Sequence, residues 1–163
     1  MVEPSVEGCE VEVTGMPVSV MTHHRLAVAD HEHPLASRVP LRVGPGGARV
    51  RVLGPRYHAE RSISAQECTP GAVIRLEVEP LPARIDFPCA PRGMTVECVD
   101  CSPPLRERIY RPEDFPPLPM SSFSRAVELL LRAPGFHRQR RRVRLHPGPN
   151  RLHVELEPLA VQG

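Results

Sequence analysis

Hydrophobic and polar residues alternate in short runs along the whole chain. Near its start, Cys9, Val11 and Val13 alternate with glutamates. The same period of two recurs at 48–52 and at 127–131. A period of two is typical of a strand with one buried face. Because Pro and Gly separate these runs, the pattern predicts an all-β protein built from short antiparallel strands.

One of these runs occurs twice. Val154-Glu155-Leu156-Glu157-Pro158-Leu159 repeats Leu76-Glu77-Val78-Glu79-Pro80-Leu81 at a distance of 78 positions (154 − 76), with only Val and Leu exchanged. We expect each copy to belong to the closing strand of one unit, at 72–78 and 152–159. The repeat therefore predicts two small antiparallel β-sandwich units in tandem, residues 1–81 and 82–163.

Composition agrees with short strands and limits the partners. The chain has 21 Pro, 11 Gly, 4 % aromatic residues and no Trp. Its formal net charge of +2 gives the whole chain no strong attraction to nucleic acid or to a membrane surface. Residues 1–12 lack the pattern of an export signal, and no apolar run approaches the length of a transmembrane helix. These features predict a cytoplasmic protein without a transmembrane segment.

The five cysteines are the first candidate for chemistry. Cys98-Val99-Asp100-Cys101 has the spacing of a zinc knuckle or of a redox pair. A tetrahedral site needs four ligands, and the chain has no second Cys-x-x-Cys. Cys68, Cys89 or a histidine would have to complete the site. An odd number of cysteines without an export signal favours reduced thiols, so neither a metal nor a disulfide is the favoured interpretation.

Four histidines lie close together in the first unit. His23, His24, His31 and His33 fall within eleven residues (33 − 23 + 1), next to Asp30 and Glu32. In a loop they could bind a transition metal. A solvated polar loop is the favoured interpretation, because no helical or strand spacing in the sequence fixes their geometry.

The segment Arg138 to Arg144 is the most basic run and suggests an anionic ligand when it is taken alone. If its strand pairs with the closing strand, Arg142 lies opposite Glu155 and Arg140 opposite Glu157. These pairs would cancel much of the local charge, and no aromatic residue is interleaved to stack on bases. Nucleic-acid or lipid binding is therefore the less favoured interpretation, with Arg138 and Arg141 left without an assigned partner.

Motifs of catalysis are missing from the sequence. It contains no Gly-rich phosphate loop, no Gly-x-Ser-x-Gly and no His-Glu-x-x-His. Most carboxylates are strand glutamates that alternate with apolar residues and are expected to face water. The sequence therefore predicts a protein that is not an enzyme and that has no catalytic residues, no metal and no cofactor.

Three features of the second unit are similar to the PEGA family. They are the two strands around Phe87-Pro88-Cys89-Ala90-Pro91-Arg92-Gly93-Met94-Thr95-Val96, the step Ser102-Pro103-Pro104-Leu105, and the order Gly135-Phe136, Gly148 turn, Leu156-Glu157-Pro158. The first unit resembles the family less closely. PEGA modules are small bacterial β-sandwiches, often in tandem or attached to signalling and envelope proteins. The resemblance implies a non-catalytic module.

Together these patterns predict a scaffold for protein-protein interaction or structural assembly in bacteria. Two polar, proline-rich segments, 22–34 and 102–120, are predicted to be displayed on the frame as binding loops. Edge strands offer a second route, through pairing with a partner strand. Two alternatives are a metal- or redox-linked sensor that uses Cys98, Cys101 and the histidine segment, and an anionic-surface binder that uses Arg138 to Arg144.

Overall fold

The computed structural model describes residues 8–160 and divides the chain into two compact units. Unit 1 comprises Met1–Leu81 and unit 2 comprises Pro82–Gly163. The regular structure of the described residues is strand, apart from three short 3₁₀ helices at Val18–His23, Leu105–Glu107 and Pro112–Asp114. The all-β prediction is confirmed. None of the helices in this part of the chain is long and apolar enough to span a bilayer.

Unit 1 contains eight strands in two sheets. The strands are β1 (Cys9–Thr14), β2 (Arg25–Val28), β3 (His31–Pro34), β4 (Arg38–Leu41), β5 (Ala48–Leu53), β6 (Tyr57–Ile63), β7 (Val73–Glu77) and β8 (Glu79–Pro80). One sheet has the order β4-β1-β7 and the other β3-β2-β5-β6-β8. The alternating positions predicted to be apolar are buried in both, for example Val11 in β1 and Val50 in β5. Each sheet thus contributes one face to the core.

Unit 2 contains five strands, again in two sheets. They are β9 (Ala83–Asp86), β10 (Thr95–Cys98), β11 (Arg125–Arg132), β12 (Gln139–Leu145) and β13 (Gly148–Arg151). Their orders are β10-β11-β12 and β9-β13. Residues from both sheets, such as Ile85 of β9 and Leu129 of β11, belong to one hydrophobic cluster. The two sheets of unit 2 therefore pack on a single shared core.

The two units share one strand topology. Three isolated bridges of unit 2 correspond to short strands of unit 1. Tyr110 is bridged to β10 and takes the place of β3, which pairs with β2 in unit 1. Leu118 is bridged to β9 and takes the place of β4, which pairs with β1. Pro158 bridges to Phe136 as Pro80 of β8 pairs with Tyr57 of β6. Unit 2 therefore repeats the plan of unit 1 with shorter edges.

The repeated sequence makes equivalent hydrogen bonds in both units. The N–H of Leu81 donates to the carbonyl of Arg56, and the N–H of Leu159 donates to that of Gly135, each at 2.9 Å. The guanidinium of Arg61 donates to the carbonyl of Arg75, as that of Arg141 does to the carbonyl of His153. The positions 75 and 153 are separated by the same 78 residues (153 − 75) as the repeat. The two copies of the repeated sequence therefore lie in equivalent hydrogen-bonding environments.

Most strand pairs are antiparallel, as predicted, but one pair in each unit is not. β1 pairs with β7 in parallel, and β9 pairs with β13 in parallel. In each unit the first strand therefore lies beside a strand from the end of the unit, because the chain passes through the second sheet between them. Alternation predicts which face a residue occupies, but it carries no information about strand direction.

Several predicted segments also differ from the structure. Val18–His23, which lies between the first two strands, is a 3₁₀ helix that buries Val20 and Met21, where only strands were predicted. The last regular strand is Gly148–Arg151, where a turn was predicted, and it ends before 152–159. Leu152, Val154 and Leu156 are nevertheless buried, so the predicted alternation of this segment is confirmed.

The two segments predicted to be displayed loops are structured parts of the sheets. Segment 22–34 contains the β2–β3 hairpin. Segment 102–120 carries two 3₁₀ helices and buries Phe115 and Leu118. Both segments form hydrogen bonds with backbone N–H and C=O groups of the sandwich, which a free loop could not do.

Proline lies at the margins of the sheets. Pro34, Pro40, Pro80 and Pro149 all belong to edge strands. Proline lacks the N–H that a further strand would need, so its presence blunts an exposed edge. β3 is also only four residues long and has the charged Glu32 in its middle. Edge pairing with a partner, the second predicted route, is therefore disfavoured on these strands.

Candidate interaction face and the sites predicted from sequence

The outward face of the β10-β11-β12 sheet carries a concentration of charged residues. Buried residues of β11 such as Leu129 and Leu131 face the core, so the alternate residues of β11 and β12 face outward. The charged residues of this side define what we call the arginine face: Arg132, Arg140, Arg142 and Arg144, with Glu97 and Glu128. Four guanidinium groups thus accompany two carboxylates.

Few of these cations are paired. Arg140 forms an ion pair with Glu128 at 3.7 Å, and Arg142 lies directly opposite Glu128 in the strand register. Arg144 donates to the hydroxyl of Ser124 at 3.1 Å. The Arg140 side chain is 63 % exposed. An exposed ion pair contributes only about 0–1 kcal/mol to stability, so the face retains most of its charge for a ligand.

The predicted pairing of Arg142 with Glu155 and of Arg140 with Glu157 is wrong. β12 pairs with β11, and the closing segment does not continue as a ladder beside β12. In an antiparallel pairing the numbers of opposed residues have a constant sum. This sum is 143 + 154 in the predicted register and 136 + 158 in the observed bridge between Phe136 and Pro158, so the observed register is shifted by three residues. The run is therefore less neutralised than its sequence suggests.

The remaining arginines of the run separate into two roles. Arg141 lies on the inward side of β12 and donates to the carbonyl of His153, so it has a structural partner. Arg138 is exposed immediately before β12. Alternate residues of a strand lie about 7 Å apart, so Arg140, Arg142 and Arg144 form a row of evenly spaced cations.

Four of the five cysteines are paired, which corrects the prediction of reduced thiols. Cys9 and Cys68 form one disulfide and Cys98 and Cys101 the other, with Cα atoms 4.9 and 5.5 Å apart. The first pair is possible because β1 and β7 are neighbours, which brings residue 9 next to the turn that precedes β7. Cys89 is exposed and unpaired. The number of cysteines carries no information about this proximity.

The disulfide between Cys98 and Cys101 argues against the hypothesis that these cysteines bind a metal. Their sulfur atoms and a carboxylate oxygen of Asp100 lie within 4.8 Å of one another. Metal-binding cysteine is a thiolate, and both sulfurs are consumed by the disulfide. The Asp100 carboxylate accepts the N–H of Glu128 at 2.9 Å. In this state the cluster is a cross-linked turn at the end of β10, and it is not a metal centre.

The histidine segment is divided by the structure. His24 is 2 % exposed, whereas His23 ends the 3₁₀ helix and His31 and His33 lie on β3. The Nδ1–H of His24 donates to the carbonyl of Val20 at 3.0 Å, and its Nε2 accepts the N–H groups of Arg56 and Tyr57 at 3.3 and 3.0 Å. Burial is the main cause that lowers the pKa of His24 below its ordinary value of 6.5. His24 is thus a neutral structural histidine.

An open groove of about 1100 Å³ lies in unit 2. Phe87, Met94 and Phe115 form its apolar floor, and Arg92 is among the charged residues that line it. The free thiol of Cys89 also lines the groove, but no histidine is among its lining residues. Among the described residues the groove therefore lacks the thiol and imidazole pair that nucleophilic catalysis uses.

Two functional features were not recognised from the sequence. Arg61 and Arg141 each donate to a backbone carbonyl, of Arg75 and His153, and the position of these acceptors directly before the two copies of the repeat would have indicated it. His31-Glu32-His33 has the spacing that places two imidazoles on one side of a strand. That spacing was assigned to a loop because the polar composition of 22–34 concealed the hairpin.

Comparison of the chain with models of known protein families, with curated proteins and with solved structures finds no match.

Proposed function

We propose that the chain is a non-catalytic pair of β-sandwich modules of the PEGA type, which binds another protein through the arginine face. The observation that carries the proposal is the row Arg140, Arg142, Arg144, three exposed guanidinium groups at strand spacing on a rigid sheet. Arginine is enriched among the residues that dominate the binding energy of protein interfaces. A carboxylate forms two parallel hydrogen bonds with a guanidinium, which gives direction as well as affinity.

The face supports an acidic protein segment better than a nucleic acid. Glu97 and Glu128 lie within it and would repel a continuous line of phosphates. No aromatic residue is interleaved with the six charged residues of the face, so bases have no ring on which to stack. An extended acidic strand presents carboxylates at the same spacing of about 7 Å as the row of arginines.

The test uses an eight-residue peptide of alternating Glu and Val, with the Gln-Val peptide as its neutral control. The triple variant Arg140→Ser, Arg142→Ser, Arg144→Ser is compared with the native chain by fluorescence anisotropy. We expect a loss of affinity of about tenfold or more, since each lost charged contact contributes about 1.5–3 kcal/mol. The matched control is Arg49→Ser, Arg51→Ser in unit 1, which should retain binding. Equal losses in both variants would contradict the proposal.

A second candidate is an anionic-surface binder that uses Arg138 to Arg144. It is favoured by the same exposed row and by the position of Arg138 just before β12. This candidate predicts salt-sensitive retention on heparin and binding to single-stranded DNA or to vesicles with phosphatidylserine. Tighter binding to either of these than to the Glu-Val peptide would select it over the protein-binding role.

The cytoplasmic location remains a prediction, and the two disulfides argue against it. Disulfides persist in oxidising compartments and are rare where glutathione keeps thiols reduced. We propose that the protein works in oxidising surroundings. Titration of thiols after unfolding in denaturant, in protein purified without reductant, should find one reactive cysteine per chain, Cys89. Five reactive thiols in the unfolded chain would favour the cytoplasm.

A further inference from the structure

His31 and His33 lie on the same side of the edge strand β3. The turn at Ala29 and Asp30 joins β2 to β3, with Ala29 at φ 50°. In the resulting register His31 is opposite Val28 and His33 is opposite Leu26. Directly opposed residues of an antiparallel pair point to the same face. Because Leu26 and Val28 are buried on the inward side, both histidines point to that side, at its open margin.

Both imidazoles line one groove of unit 1. This groove has a volume of about 680 Å³ and also includes Glu10 and Arg38 among its lining residues. The guanidinium of Arg38 is paired with Glu10 at 3.4 Å and with Glu12 at 3.5 Å. These carboxylates compensate its charge, so a cation near the histidines faces a largely neutral wall.

The two histidines have no structural task in unit 1. His24 has every ring nitrogen in a hydrogen bond, and His146 bonds to the carbonyl of Phe123. Within residues 8–160, neither the imidazole of His31 nor that of His33 has a hydrogen-bond or ion-pair partner, although the backbone of β3 pairs with β2. Both are exposed. Their ring nitrogens are therefore available to a ligand that accepts two imidazoles.

We propose that His31 and His33 chelate a divalent transition-metal ion, with the remaining positions occupied by water. Neutral imidazole suits Cu²⁺, Ni²⁺ and Zn²⁺, whereas Ca²⁺ and Mg²⁺ prefer oxygen ligands. The order of affinities places Cu²⁺ first among these ions. Two ligands fixed on one strand bind more tightly than one, because the second ligand is held at a high effective concentration. The site is independent of the arginine face and lies in the other unit.

The test is a titration of the full chain with CuCl₂, followed by calorimetry and by amide NMR. Cys89→Ser serves as the background for every variant, because the exposed thiol would itself react with copper. We expect one ion per chain. Paramagnetic broadening should be centred on the amides of β3 and of the residues that line the groove around it. Absence of binding, or broadening centred elsewhere, would overturn the proposal.

A relocated histidine is the sharper control. The double variant Glu32→His, His33→Gln keeps two histidines on β3 but places them on opposite sides of the strand. We expect it to lose copper affinity by about tenfold or more, as His33→Gln alone does, because the chelate is lost. His23→Gln should bind as the background does. Equal affinity of the relocated variant and the background would show that composition, not geometry, holds the ion.

Discussion

Unit 1 and unit 2 have the same topology but occupy one equivalent core position with residues of opposite character. His24 directly precedes β2, and Met94 directly precedes β10; each side chain is 2 % exposed. The imidazole accepts two backbone N–H groups and donates to a carbonyl. The thioether fills its place by packing alone. The comparison teaches that the strand plan is compatible with a polar or an apolar centre.

The outward faces differ in the same way. In unit 1 the two outward arginines of β5 share one carboxylate, since Arg49 forms an ion pair with Glu60, which also lies opposite Arg51. In unit 2 the corresponding sheet concentrates its arginines on β12. Buried positions are constrained by the shared architecture, whereas the outer positions are not. The imbalance of unit 2 is therefore a property that folding does not require.

The largest expected difference in stability between the two units comes from their disulfides. Cys9–Cys68 closes a sequence separation of 59 residues, and Cys98–Cys101 one of 3. In the chain-entropy model, loops of these lengths correspond to about 4 and about 2 kcal/mol of stability. We expect Cys9→Ser, Cys68→Ser to destabilise unit 1 more than Cys98→Ser, Cys101→Ser destabilises unit 2. Hydrogen exchange of the β5 and β11 amides reports each unit separately. Equal losses would mean that chain entropy does not distinguish the units.

The next prediction concerns Gly54, which stands where unit 2 has Ala133. A Cβ at residue 54 would overlap the imidazole of His24. We expect Gly54→Ala to destabilise unit 1 by about 1–3 kcal/mol, as overpacking does. The matched change Ala133→Gly should cost unit 2 about 1 kcal/mol or less, mainly through backbone entropy. Urea unfolding monitored for each unit checks both values, and a neutral Gly54→Ala would contradict the close packing of His24.

Replacing His24 with the methionine of unit 2 should remove a pH dependence. Because the pKa of His24 is lowered on folding, the unfolded chain binds more protons just below pH 6.5. The stability of unit 1 therefore falls as the pH drops below about 6.5. We expect His24→Met to remove this pH dependence. At neutral pH the variant should also lower the stability of unit 1 by about 1–3 kcal/mol, because two N–H groups become unpaired. Denaturation at pH 5 and pH 7.5 checks the sign. An unchanged difference between the two pH values would assign the dependence to other groups.

The smallest effect is expected on the outward faces. Arg140→Gln in unit 2 and Arg49→Gln in unit 1 each remove one exposed ion pair. Such pairs contribute about 0–1 kcal/mol, and less at high salt. The free energies of unfolding of the two variants should agree within about 0.5 kcal/mol. A loss above 2 kcal/mol for Arg140→Gln would show that the arginine face is needed for folding.

Alternation was a reliable guide to burial and a poor guide to pairing. It predicts that Val11, Val50 and Leu129 are inside, and they are. It cannot tell that β7 runs parallel to β1, because a strand pattern is the same in either direction. The predicted neighbour of β12 was wrong for the same reason. Which strand lies beside which depends on the path of the chain between them.

The candidate site shows the same limit. The basic run at 138–144 is evident in the sequence, but only the pairing of β12 with β11 separates outward Arg140 and Arg142 from inward Arg141. The spacing of His31 and His33 is also evident, yet it gains meaning only once β3 is known to be a strand. The Cys9–Cys68 bond depends on a contact between β1 and the turn before β7, across a sequence separation of 59 residues.

The prolines of the edge strands have a consequence for two β units on one chain. Such units meet at a local concentration of the order of millimolar, which favours pairing of their edge strands or an exchange of strands. Pro34 and Pro40 in unit 1, and Pro149 in unit 2, withhold a donor where such pairing would begin. A unit that is capped in this way can be joined to another on the same polypeptide while each still folds on itself.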